Sequence, residues 1–294
     1  MADIDDLGLP ANWRNYVPLA PPVVFMKLID IGVNLAHDSF DADHDDVIRR
    51  ATEAGVSRMV LTGSSESSNA AALALARSHP GKLWSTVGLH PHHASEYNDN
   101  LNASIRSLLD EPEVVAVGEC GLDYFRNLSP RDAQRIAFER QLDLATESGL
   151  PVFLHQRDAH AEFVEILKPR LDGLTRAVAH CFTGTESELC ELLDLGLYVG
   201  ITGWICDERR GSHLKDIVHL IPHDRLMIET DAPYLLPRSL SPKPRTHRNE
   251  PMWLVEILRV IAEARGDDPE ALAAATTHTA EKFFGISGEP EPRS

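Results

Sequence analysis

A chain of 294 residues with 43% hydrophobic content and a formal net charge of −17 can bury one large core, and it has no apolar run of the ~20 residues that a membrane helix needs. The acidic excess excludes broad electrostatic coating of nucleic acid, but leaves room for a local basic track over a metal that screens phosphate. Cys120, Cys181, Cys190 and Cys206 include no C-x-x-C pair, which excludes a zinc ribbon and reads as free thiols in a reducing cytoplasm.

Residues 1–26 read as an extension. Pro10, Pro18, Pro21 and Pro22 break any helix, and no apolar signal core follows the acidic Met1 to Asp6. Met26 directly precedes the first strand, so a start there is one alternative and an ordered arm is the other. Lys27 to Val33 is the first strand, and a helix from Asp41 to Ala54 ends at Gly55. Val56 to Leu61 is the second strand, followed by an Ala/Leu-rich helix from Asn69 to Ser78. Leu83 to Val87 is the third, followed by a helix over Leu101 to Leu109. The fourth strand, Val114 to Val117, runs into Gly118-Glu119-Cys120-Gly121. A long helix spans Pro130 to Ser148, with Ser129 as the expected N-cap.

Val152 to Leu154 and Ala177 to Ala179 form the fifth and sixth strands, with a helix over Ala159 to Leu167 between them. A helix over Glu186 to Leu195, a seventh strand over Leu197 to Ile201 and a short helix near His213 to Leu220 come next. Leu226 to Ile228 is the eighth strand, and Pro251 to Ala264 and Pro269 to Phe284 are the closing helices. Eight strands alternating with helices predict an α/β fold, a (β/α)8 TIM-type barrel in a single domain over 27–286, with a polar tail over 287–294. An open doubly wound sheet is the alternative, weakened because no G-x-G-x-x-G follows the first strand.

Four of these strands end in residues poorly suited to packing. The fourth meets Glu119, the fifth His155, the sixth His180, and the eighth Glu229-Thr230-Asp231. Any one alone reads as readily as a satisfied core or loop residue. Together, at equivalent strand ends, they suit a hydrolytic metal site with oxygen and nitrogen ligands. Cys120 and Cys181 each follow a candidate ligand and need no role beyond small core residues.

The chain also carries Asp30-Ile31-Gly32-Val33-Asn34-Leu35, Gly88-Leu89-His90-Pro91-His92, Gly118 to Asp123, His155 to His160, His180-Cys181-Phe182-Thr183-Gly184 and Glu229 to Tyr234. As an ordered set from about Leu28 to Phe284, these motifs resemble the TatD family of metal-dependent deoxyribonucleases, whose barrel is of the metallo-dependent hydrolase kind. The resemblance implies that Glu119, His155 and His180 hold a divalent cation, and that Asp231 completes the shell or takes a proton from the attacking water. His90 and His92 would face the scissile phosphate, with a capped turn around Pro91 as the plainer alternative. Glu229 would orient a ligand or serve structure alone.

Many members of the family open with D-x-H-x-H, where this chain has Gly32 and Asn34. That loss of two imidazoles predicts weakly held Mg²⁺, with Mn²⁺ as the alternative, rather than a tight zinc pair. The similarity of this variant to the family's cytoplasmic exonuclease branch implies 3′→5′ hydrolysis of single-stranded DNA and also RNA, and a part in DNA repair; a monomer is expected. An amidohydrolase-type enzyme cutting a small amide, ester or lactone would use the same barrel and ligands. For the substrate path, Arg157 would offset transition-state charge and Trp204 would stack on a base or simply pack. The acid-free window from Ala232 to Asn249, with Arg238, Lys243, Arg245 and Arg248, would track phosphates or be a solvated loop.

Overall fold

The computed structural model describes residues 26–286; the expected extension up to Val24-Phe25 and the polar tail lie outside them. Eight strands form one sheet in chain order with every neighbouring pair parallel: β1 (Leu28–Val33), β2 (Val56–Leu61), β3 (Leu83–Val87), β4 (Val114–Asp123), β5 (Val152–Arg157), β6 (Ala177–Ala179), β7 (Tyr198–Ile201) and β8 (Leu226–Ile228). Past β8, the Asp231 amide donates to the Gly32 carbonyl at 2.9 Å, and the Asn34 amide to the Ala232 carbonyl at 2.8 Å. The Asp30 carboxylate reaches across the same seam, accepting from the Thr230 amide at 2.9 Å and its hydroxyl at 2.5 Å. Joined at these edges, the sheet is the expected (β/α)8 barrel, and no described helix is long and apolar enough to cross a membrane.

The helices α1 (His44–Glu53), α2 (Glu66–Ser78), α3 (Asp99–Leu108), α4 (Arg131–Ser148), α5 (His160–Leu167), α6 (Glu186–Asp194), α7 (Ser212–Ile217) and α8 (Leu254–Arg265) each follow the strand of the same number. Their ends are chemically marked. Ser65 and Thr185 form reciprocal capping boxes, Asn98 accepts from Leu101, and Gly149 and Gly266 close α4 and α8 in the left-handed conformation. Ser129 is a correction. It lies before the helix rather than at its cap, because its hydroxyl is engaged elsewhere: it donates to the His92 carbonyl at 2.9 Å and accepts from the Ser95 amide at 3.2 Å.

A last helix, α9 (Pro269–Phe284), packs on the N-terminal ends of the strands. Arg58 and Arg176, both at strand starts, donate to the carbonyls of Ile286 and Phe283 at 2.9 Å each. Phe283 and Phe284 join Ile29, Ile31, Phe153, Val178 and Met227 in one buried cluster inside the barrel. The outer core, where Phe138 stacks on Phe163 at 5.4 Å, binds the helices to the strands. One end of the barrel is therefore plugged with hydrocarbon, and polar side chains are left to the C-terminal mouth. All four cysteines are free thiols.

Candidate metal centre

Glu119 reaches the mouth because β4 bulges. In the register with β5, Gly118 pairs Phe153 and Cys120 pairs Leu154, so Glu119 is the extra residue. Its amide leaves the ladder and donates to the Gly63 carbonyl at 2.7 Å. A bulge re-aims a side chain in this way. Gly121, with φ 145°, lets the strands stay paired beyond it: a Cβ there would lie 1.9 Å from the His155 carbonyl oxygen.

The Glu119 Oε1 atom accepts from His155 Nδ1 at 2.8 Å and His180 Nε2 at 2.8 Å, and His90 Nε2 lies 3.3 Å away. Candidate ligand atoms of His90, Glu119 and His155 all fall within 4.8 Å of one another. His90 thus stands beside the carboxylate, inside the cluster, rather than only facing a substrate. His180 is oriented from behind: its Nδ1 lies 3.2 Å from Glu229 Oε2, and the other Glu229 oxygen accepts from the Cys181 amide at 2.5 Å. His92 meets Asp123 Oδ2 at 2.7 Å, and the same oxygen is 3.5 Å from His155 Nε2. At that separation His155 Nε2 is buried with no hydrogen-bond partner. Asp231 is left-handed, φ 54°, and its Oδ1 accepts from Asn34 Nδ2 at 3.0 Å.

These contacts set the protonation states. Burial alone would raise the Glu119 acid, but the charges of His180 and His90 and the bonds from His155 and His180 hold it well below its usual range. Burial opposes charge on His180 and His155, yet the acids beside them, Glu119 and Glu229 for His180 and Asp123 and Glu119 for His155, win and raise both. Burial does win at His90, lowered to about 4. Asp231 goes the other way: burial, helped by the charges of Glu119 and Glu229, lifts it to about 7. A site with a strongly ionised acid, imidazoles of both kinds and an acid poised near neutrality is the signature of tuned proton chemistry.

The donors suit a divalent cation. Three imidazole nitrogens surround one buried carboxylate oxygen, and a further buried imidazole nitrogen lacks a partner. The place of the missing first imidazole is accounted for: a Cβ at Gly32 would lie 2.3 Å from Glu229 Oε2. Glu229 fills the room a side chain there would need.

Farther out, Arg157 and Trp204 meet at the rim, the guanidinium 5.6 Å from the indole centroid. A cavity of about 380 Å³ beside Trp204 is lined by Arg209, Arg210, Arg238, Lys243 and His247. Arg245 is exposed and does not line it. Arg248 is a correction to the expected track: it turns to α1 and pairs with Asp43 at 2.8 Å and Glu250 at 2.7 Å. Arg238 pairs with Glu208 at 2.8 Å. A window free of acids still finds them on neighbouring loops. Sequence reasoning missed Asp123 as a site residue. The signal was its spacing from Glu119, since alternate residues of a strand share a face.

The family model described as TatD related DNase matches residues 29–285. The 3′-5′ ssDNA/RNA exonuclease TatD of Citrobacter rodentium is 54% identical over 260 residues, covering 88% of this chain and 98% of that protein. The protein of the same name from Erwinia tasmaniensis is 53% identical over 259 residues, covering 88% and 100%. Among solved structures, a TatD homologue from Escherichia coli K12 matches with a TM-score of 0.81 at 28% identity, over 90% of this chain and all of that one.

Proposed function

The chain belongs to the TatD-related DNase family, hydrolases of nucleic-acid phosphodiester bonds, and from that premise we propose that it is a metal-dependent 3′→5′ exonuclease on single-stranded DNA and RNA. The observation that carries the reading is the Glu119 oxygen ringed by three imidazoles at the barrel mouth, beside an Asp231 acid lifted to about 7.

A bound divalent cation would supply Lewis-acid polarisation of a phosphoryl oxygen and a water of lowered pKa. Glu119, His155, His180 and His90 would hold it, with Asp231 alongside. The imidazole share of this set favours Mn²⁺ over the Mg²⁺ expected from the sequence, since nitrogen donors suit the softer ion. Asp231 acts as base: burial lifts it to about 7 in the ion-free site, and beside a held cation the carboxylate would fall below that value and stay ionised to take a proton from water. His92, fixed by Asp123, would face the scissile phosphate, and Arg157 would offset charge growing on its oxygens. Lys243 and Arg245 draw the strand's phosphates toward the mouth, and Trp204 borders their path. The proposal extends to a single catalytic domain over 27–286 acting as a cytoplasmic monomer, with a role in DNA repair.

The test is hydrolysis of a 5′-labelled unstructured oligonucleotide by purified protein with Mg²⁺, Mn²⁺ or chelator. The reading expects a metal-dependent ladder of products shortened from the 3′ end. Metal-dependent cleavage of small amides or esters without any strand shortening would replace the nuclease by the amidohydrolase alternative.

A further inference from the structure

Four side chains from three loops stack in alternation around the mouth, and none belongs to the metal cluster. Phe125 follows β4, Arg157 ends β5, and Trp204 and Arg210 follow β7. The Arg157 guanidinium lies 4.2 Å from the Phe125 ring centroid and 5.6 Å from that of Trp204. The Arg210 guanidinium lies 4.3 Å from the Trp204 centroid. Aromatic and cation thus alternate, Phe125, Arg157, Trp204, Arg210, from the β4 loop to the groove beside Lys243.

The two arginines are held differently. Arg157 has no carboxylate partner among the described residues, so its charge rests on ring faces alone. Arg210 is tied through Nε and Nη2 to Oδ2 of Asp207 at 3.2 and 3.1 Å. Asp207 is only 4% exposed, and it also accepts from Arg209. A buried acid shared by Arg209 and Arg210, with Arg238 Nε also 3.6 Å away, fixes their direction; it adds little to the stability of a rim. Phe125 at the other end is 55% exposed although its ring carries a guanidinium.

We propose that this ladder is a binding platform for the unpaired nucleotides next to the one being hydrolysed. A base stacks on Phe125 at the open end, and Arg210 takes the phosphate next to the scissile one that Arg157 meets. Trp204 and Asp207 are positioning residues that hold the guanidinium planes. The chemistry selects an unpaired polynucleotide, because only an unpaired base offers its face to a ring; Arg157 keeps its N–H edge free for phosphate, and Arg210, bound to Asp207 through Nε and Nη2, keeps Nη1. A duplex end has to fray before it can occupy the platform. The proposal rests on the exonuclease reading and adds to it the residues by which single strands are chosen.

The experiment compares two phosphodiesters: a short unstructured oligodeoxynucleotide, and bis(p-nitrophenyl) phosphate, which is too small to span the ladder. Stacking worth ~1–3 kcal/mol per base predicts that Phe125→Ala lowers the preference for the oligonucleotide, as a ratio of kcat/KM values, by roughly tenfold, mostly through KM. Phe125→Trp is expected to keep that preference and Phe125→Leu to lose it, which separates stacking from ordinary packing. Arg210→Gln is expected to reduce the slope of log KM against log salt by ~0.7, the share of one phosphate contact. An unchanged preference in Phe125→Ala overturns the platform while the exonuclease stands. Failure of the wild-type protein to hydrolyse either diester with metal removes the exonuclease reading and the platform with it.

Discussion

Three imidazoles converge on one oxygen of Glu119, and its charge helps to raise two of them, His155 and His180, while burial keeps His90 low. Glu119→Gln keeps the shape and removes that charge. Hydrolysis is expected to fall by ~10²-fold or more, with the circular dichroism spectrum retained; near-wild-type turnover would remove Glu119 from the site. The imidazoles predict the pH dependence. His155 and His180 have raised values, so in the ion-free protein both favour protonation as pH falls to neutrality and below. An ion must displace those protons. Mn²⁺ affinity should therefore strengthen as pH rises and be lost as pH falls through the raised values, with protons released on binding. Titration calorimetry in buffers of different ionisation enthalpy measures this, and an affinity flat with pH would show that neither imidazole is a ligand.

At the scale of the strand, β4 and β5 carry the precision. The bulge at Glu119 and the bare Cα of Gly121 allow the carboxylate and His155 to sit on neighbouring strands at hydrogen-bond distance. Gly121→Ala would force a Cβ into the His155 carbonyl and must separate the strands. A loss of ~3 kcal/mol or more in denaturant unfolding is expected, together with loss of activity. Gly149→Ala is the comparison. That glycine is also left-handed, at φ 72°, but nothing lies within 4 Å of its Cβ position. Only the conformational penalty of ~1 kcal/mol should appear there, with activity kept. Equal losses in the two variants would mean that strand contact at Gly121 is not what matters. The elements themselves were legible because apolar period and capping residues are local. Ser129 was misread for the same reason: its hydroxyl has a partner thirty-seven residues earlier in the chain, at His92.

For the whole molecule, stability and chemistry lie at opposite ends of the barrel. Phe283 is fully buried against Tyr198 and the inner strand residues, at the plugged end. Phe283→Ala is expected to cost ~3–5 kcal/mol and to leave KM near that of the wild-type protein below its melting range. Chelation should do the reverse, ending hydrolysis while lowering the melting temperature only slightly, because the apolar core does not depend on an ion. A calorimetric scan with and without chelator distinguishes this from a metal-nucleated fold, in which removal of the ion would abolish the transition.

The amino-acid order alone determined the alternation of eight strands with helices, and with it the barrel and the family. It also marked Glu119, His155, His180 and Asp231 as residues gathered at one end. Both follow from properties that neighbours in the chain settle among themselves: apolar period, turn residues, and a polar side chain just past an apolar run. Tertiary structure decided what those residues touch. It brought His90 to the Glu119 oxygen, set Asp123 between His92 and His155, and filled the space over Gly32 with Glu229. It also sent Arg248 to Asp43 and stacked Phe125, Arg157, Trp204 and Arg210 from three separate loops. Such contacts depend on strand register and on which loops share the mouth, and both are fixed only when a barrel closes β8 onto β1.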